Sequence, residues 1–272
     1  MTPASDNSHS SKPVNALEWA SRYFRKALIQ DLDAKNRICR QFRGISDETF
    51  QRFALGITPT ESLFEALAKA GFSNSDIETS GLILHHSGNS YNRFRNRATL
   101  PVRDGHGEVV GFAGRLLDDD SQPKYLHSPS AGFFCSAILY GMWEATNAIK
   151  EKGLTLMVPG YTDLFSLVEQ GVKNVVCYHG RVISPEHLAS VKKIASGITV
   201  IYDGTPADTE VRFLSQNAGR LGMTGKVLTL PDKRTVPSLL ADGGLEGLFS
   251  LVRSLGVSIP FKEGFSPSHA SH

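Results

Sequence analysis

Residues 154–180 read LTLMVPGYTDLFSLVEQGVKNVVCYHG, and after a helical interval residues 198–205 read ITVIYDGT. Three apolar runs, 154–158, 175–178 and 198–202, each end in a turn, with helix-like segments between them. Short β-branched runs alternating with helices predict a parallel sheet covered on its faces. A sheet of that kind binds ligands beyond the carboxyl ends of its strands. Pro159, Gly160, Asp163, Asp203, Gly204 and Thr205 fall at or near those ends. These are not the residues that a metal enzyme would want there. A fourth strand is expected at 226–230 and a last helix from about 236 to 255, so the fold class is α/β.

Upstream of the alternation the chain changes character. From 82 to 125 it is strand-like. ATLPV (98–102) and EVVGFAG (108–114) form an expected hairpin around the DGHG turn at 104–107. Positive charge is densest here. Arg93, Arg95, Arg97 and Arg103 crowd one short stretch, no acid lies between Tyr91 and Val102, and Arg115 and Lys124 follow. Before this region the pattern is helical. Residues 15–30 carry Leu17, Tyr23 or Phe24, and Leu28 at helical spacing. Residues 44–56 form a compact helix capped by Ser46, with Thr49 a weaker partner than the Glu or Gln of a capping box. The next helix is expected to start at Thr60 and stop at Gly71, and another ends at Gly81. The expected organisation is a disordered tail over 1–13, a helical lead-in and basic mixed α/β part over 14–150, a parallel-sheet domain over 151–258, and a loose tail over 259–272.

The chain has 272 residues and a net charge of +2, so nucleic-acid binding has to rest on local clusters rather than on global charge. Cys39, Cys135 and Cys177 lie far apart and form no CxxC pattern, which argues against structural zinc and a disulfide framework. All three read as apolar fillers. No run reaches the ~18 apolar residues that a membrane span needs. The polar N-terminus has no signal-peptide core, so a cytoplasmic protein with no membrane partner is expected.

Taken in order, the strings GISDETFQRFALG, YNRFRNRATLPVRDGHGEVVGFAGR, PKYLHSP, LYG, VPGYTDLFSLVEQGVKNVV, VIYDG and VLTLPD resemble the RNA-polymerase core of bacterial DnaG-type primases. The resemblance covers about residues 15–260. It implies a Toprim-type parallel sheet with helices on both faces, preceded by the helical lead-in and basic subdomain. The family's zinc module and helicase-binding domain are not expected in this chain. The resemblance also implies site residues. Arg93, Arg95, Arg97, Arg115, Lys124 and Tyr125 stand where the family lines a groove for template strand and nucleotide phosphates. Guanidinium forks suit phosphate, and Tyr125 could stack on a base.

The family's metal-holding carboxylates are largely replaced. Pro159 takes the place of a Glu, Thr205 that of an Asp, and Thr235 and Pro237 those of an Asp-Pro-Asp element. Asp163 and Asp203 stand in place. Ser136, Ala137 and Ile138 replace a basic KGR-like stretch. Mg²⁺ or Mn²⁺ is therefore expected to bind weakly, through Asp163 and Asp203 and with Asp208 as a candidate replacement alongside Asp232. Zinc is not expected, and no catalytic residue is assigned beyond the residual candidates Asp163 and Asp203.

Several residues keep two readings. Arg93, Arg95 and Arg97 could alternate on a strand as a solvated face or grip nucleic acid. Asp203 could fix a turn, and Asp163 could be a first-turn carboxylate favoured by the helix dipole. His179 and Arg181, where the family has a neutral turn, could hold a phosphate or lie at the surface. His85 and His86 are expected in a solvent-facing loop. The leading functional expectation is an impaired primase-core relative that binds single-stranded DNA or a DNA/RNA hybrid. It would work in replication or its regulation, beside a replication protein or an intact primase. The alternatives are an active primer-synthesis module with a rearranged metal site and a protein-interaction module.

Overall fold

A computed structural model describes residues 15–117, 123–129, 138–179, 183–202, 206–230 and 234–254. In chain order the elements are α1 (Ala16–Gln30), α2 (Leu32–Gln41), α3 (Asp47–Arg52), β1 (Gly56–Ile57), α4 (Leu63–Lys69), α5 (Asn74–Thr79), β2 (Ile83–His86), β3 (Asn89–Asn92), β4 (Arg97–Arg103), β5 (Val109–Leu116) and β6 (Tyr125–His127). There follow α6 (Met142–Lys152), β7 (Leu154–Val158), α7 (Tyr161–Glu169), β8 (Val175–Cys177), α8 (Pro185–Lys192), β9 (Gly197–Tyr202), α9 (Asp208–Arg220), β10 (Thr224–Thr229) and α10 (Val236–Ser254).

The parallel sheet has the order β10-β9-β7-β8. Its strands alternate between two buried faces. Leu156, Val158, Val175, Cys177, Ile201 and Leu228 pack with α7 and α10, while Met157, Val176, Ile198, Val200 and Tyr202 pack with α6, α8 and α9. Helices on both faces explain why these strands read as continuous apolar runs. The second sheet, antiparallel β1-β4-β5-β6, comes from the basic region, and the β4–β5 hairpin lies where ATLPV and EVVGFAG place it.

Local capping shows what the sequence pattern missed. Ser46 caps α3 as expected, its Oγ accepting from Thr49 N. The acceptor that Thr49 cannot supply comes from Glu169 at the far end of α7. Its carboxylate accepts from Ser46 N at 3.0 Å and from Thr49 Oγ1 at 2.5 Å. A capping box is thus completed across the fold and ties α3 to the parallel-sheet layer. The cap of α4 is Ser62, not Thr60. Asn92 is the cause: its amide donates to Pro59 O and Glu61 O while its oxygen accepts from Leu63 N, holding the chain extended up to the later start. Helix α2 was not expected, because only Ala34 and Ile38 bury on it and, Leu32 and Cys39 apart, the rest is polar. His85 and His86 lie in strand β2 rather than a loop, though both face solvent as expected.

The two sheets meet on aromatic rings. Phe53 after α3 stacks on Tyr140 at 5.8 Å and meets Phe165 of α7 edge-on at 5.2 Å. Tyr140 prolongs the sheet edge by exchanging backbone hydrogen bonds with Cys177. Glu144 of α6 forms a buried clasp on the same seam. Its carboxylate pairs with Arg103 Nε at 3.3 Å, and its carbonyl accepts from Arg52 at 2.8 Å. Burial pushes the Glu144 carboxyl up, and the two arginines oppose that shift.

Candidate nucleic-acid interface and strand-end site

The arginines singled out in the basic region do not alternate along one strand. Arg93 and Arg95 sit in the turn between β3 and β4, and Arg97 opens β4. Their side chains do different things. Arg97 is 7% exposed and donates to the carbonyls of Gly114, Lys124 and Pro123. It therefore buckles β4 and β5 to the segment entering β6. Arg93 Nε donates to Gly81 O at 2.7 Å. Arg115 is 4% exposed, donates to Gln41 Oε1, and lies over the Tyr125 ring at 5.1 Å. Tyr125 also packs on Tyr161 at 5.0 Å, so its ring is part of the interior, and burial raises its hydroxyl to about 12. By contrast, Arg95 and Lys124 are exposed. The sequence-predicted groove residues thus divide into an inner set that shapes the sheet and an outer pair that can reach a phosphate.

At the carboxyl ends of β7 and β8 the geometry is aromatic and imidazole-rich. Tyr161, just after Pro159 and Gly160, receives a contact from His127 Nε2 at 3.1 Å. His179, which follows β8, lies nearly parallel to the Tyr161 ring at 6.2 Å and 5.4 Å from the His127 ring. His187 of α8 is close enough to couple electrostatically to His179. Burial is the main cause that depresses all three imidazoles, His127 and His187 to about 4. They are neutral at pH 7. Cys177 is buried, its thiol pushed up by desolvation, and its Sγ donates to Pro159 O. The stack escaped sequence reading because its rings come from β6, α7 and the turn after β8. No periodicity links them; the only available signal was that PKYLHSP and YHG each place a histidine at an expected site edge.

Of the residues expected to hold metal, the structure describes Asp163 and Asp208. Asp163 lies in the first turn of α7, its Oδ2 only 2.7 Å from where a side chain on Gly160 would begin. A side chain at 160 would push that carboxylate aside from the helix start. Asp203, Thr205, Asp232, Arg181, Ser136 and Ala137 lie outside the described residues, as does Cys135. Asp208 is exposed at the start of α9. Thr235 has become a helix cap: its Oγ1 accepts from Ser238 N and its N–H donates to Ser238 Oγ, with Pro237 in the first turn of α10. Among the described residues no group of three or more His, Cys, Asp or Glu side chains is placed to hold a metal. Hard cations prefer several carboxylate oxygens. Among the described residues these strand ends bring one carboxylate, Asp163, beside proline, tyrosine and imidazole, fewer oxygens than a two-metal centre uses.

Comparison with known proteins bears on the fold and the family. Residues 23–146 match a family model described as the DNA primase catalytic core, N-terminal domain. A DNA primase of Clostridium acetobutylicum is 32% identical over 242 residues, 86% of this chain and 39% of that protein. One of Aquifex aeolicus is 29% identical over 89% of this chain and 49% of its own length. The chain therefore spans less than half of either relative. Among solved structures, the zinc-binding and RNA-polymerase domains of the Aquifex aeolicus primase superpose with a TM-score of 0.78 at 28% identity, covering 88% of this chain and 60% of that one. A DnaG primase catalytic domain bound to single-stranded DNA superposes with a TM-score of 0.76 at 26% identity, covering 88% and 79%. Motif order, the two-sheet architecture and these likenesses agree: the chain belongs to the DnaG-type primase catalytic-core family.

Proposed function

We propose that this chain is a primase-core relative that binds single-stranded DNA or a DNA/RNA hybrid, and that its primer-synthesis centre is impaired or inactive. It would act in the cytoplasm in DNA replication or its regulation, beside a replication protein or an intact primase. The observation that carries the reading is the contrast between exposed Arg95 and Lys124, in the segments leading into β4 and β6, and Pro159 at the end of β7. Phosphate contacts supply salt-dependent, sequence-tolerant affinity. Nucleotidyl transfer additionally needs divalent charge at the attacking and leaving oxygens, and the donors described above do not suit it. Binding is supported by relatedness to a DnaG catalytic domain bound to single-stranded DNA, and to a Mycobacterium tuberculosis primase polymerase domain in complex with a DNA duplex carrying a 6-nucleotide overhang. The test is fluorescence anisotropy with a labelled single strand at several salt concentrations. Affinity should fall as salt rises. The double variant Arg95→Ala, Lys124→Ala should flatten the slope by roughly 1.4, two phosphates at about 0.7 each. Tight, salt-insensitive binding, or none, would refute the reading.

A further inference from the structure

The β2–β3 hairpin stands apart from both large sheets. Its two-residue turn uses Ser87 and Gly88, both at positive φ, as a tight hairpin of this hand requires. The pairing register fixes two faces. One carries Ile83 opposite Asn92 and His85 opposite Ser90; the other carries Leu84 opposite Tyr91 and His86 opposite Asn89. The first face is the anchor. Ile83 is 8% exposed in the helical core, and the Asn92 side chain is hydrogen-bonded to Pro59, Glu61 and Leu63. The second face is open. Leu84 and Tyr91 are directly opposed and 39% and 40% exposed, among the few large apolar side chains that this fold leaves at its surface.

Along the chain, the charge of this segment is one-sided, although Glu61 meets Asn92 of β3 through its carbonyl. From residue 79 to residue 103 the chain holds Arg93, Arg95, Arg97 and Arg103 with His85 and His86, and no aspartate or glutamate. Exposed Arg95 leaves the hairpin three residues after β3 ends. A flat ring backed by an aliphatic side chain, with an exposed arginine three residues beyond the strand, has the chemistry of a single-strand platform: the base stacks and the flanking phosphate meets the guanidinium. We infer that the Leu84–Tyr91 face of the β2–β3 hairpin stacks an unpaired base of a single-stranded nucleic acid, with Arg95 taking an adjoining phosphate. This rests on the binding function proposed above and adds a base contact, where the ring of Tyr125 is already packed inside.

The experiment measures binding of the full chain to a labelled oligothymidylate at fixed salt, together with its salt slope. Tyr91→Ala should weaken binding about tenfold without changing the slope, because a stacking contact is lost and no charge is altered. Tyr91→Phe should bind like the unaltered chain. Circular dichroism checks that the variants are folded. Photo-crosslinking of the unaltered chain to a 5-iodouracil strand should label Tyr91, which keeps the inference testable if Tyr91→Ala does not fold. If the unaltered chain binds and Tyr91→Ala binds equally well, or the crosslink lies elsewhere, this inference fails while the general binding function stands. If the unaltered chain binds no strand at all, both fail. Self-association of the chain that Tyr91→Ala abolishes would assign the face to a second copy and overturn the inference.

Discussion

The antiparallel sheet β1-β4-β5-β6 and the strand ends of the parallel sheet β10-β9-β7-β8 have met the same pressure in opposite ways. The first keeps its family-type cations, but most of them have turned inward. Arg97 holds three carbonyls, Arg93 holds one, and Arg115 lies over Tyr125. At the second, two positions where the resemblance places carboxylates do structural work: Thr235 caps α10, and Pro159 accepts from a buried thiol. A motif residue therefore says where the backbone goes before it says what touches a ligand. Exposure separates the two roles, and here it leaves Arg95 and Lys124 as the outward pair.

That division gives its largest expected effect at Arg97. Removing its buried guanidinium breaks three hydrogen bonds to backbone carbonyls and empties the space it fills, so Arg97→Ala should lower the free energy of unfolding by about 3 kcal/mol. Arg95→Ala, at an exposed turn, should change stability by less than about 0.5 kcal/mol and act on strand binding instead. Urea unfolding of both variants decides the matter; equal costs would erase the distinction between inner and outer arginines.

At the strand ends the next effect is one of pH. His127 and His187 are depressed to about 4 from an ordinary value near 6.5. The unfolded chain therefore binds more protons than the folded one between those values, and stability present above pH 6.5 is lost as pH falls toward 4. Urea midpoints should drop across that window, and His127→Gln should make the drop shallower. A midpoint independent of pH there would mean the imidazole stack is not buried as described. Smaller again is the cap: Thr235→Ala should cost about 1 kcal/mol, read by the same unfolding assay. A neutral result would leave the replaced position without a structural role. Smallest is the response to metal. Excess Mg²⁺ should leave the melting temperature unchanged in both the natural chain and Asp163→Asn, and a rise confined to the natural chain would reinstate Asp163 as a ligand.

Much of this fold was legible because burial on both faces writes itself into runs such as LTLMV and ITVIY, and because a hairpin needs the DGHG turn. Legibility failed where the deciding contact is distant in sequence. The α3 cap is completed by Glu169 and the start of α4 is set by Asn92, and neither lies in the local window that a capping pattern inspects. At the site, the departures of Pro159 and Thr235 from the resembled pattern were readable residue by residue. The inward turn of Arg97 and Arg115 was not, since a guanidinium that binds a carbonyl and one that binds a phosphate occupy the same letter. The His127–Tyr161–His179 stack needed three elements brought together before it existed at all.

The most direct measurement of the central claim is primer synthesis on a single-stranded template with nucleoside triphosphates, run with Mg²⁺ and separately with Mn²⁺. The chain should yield no more oligoribonucleotide than its Asp203→Ala variant while still binding the template in salt-dependent fashion. Abundant oligoribonucleotide that Asp203→Ala abolishes would contradict the account.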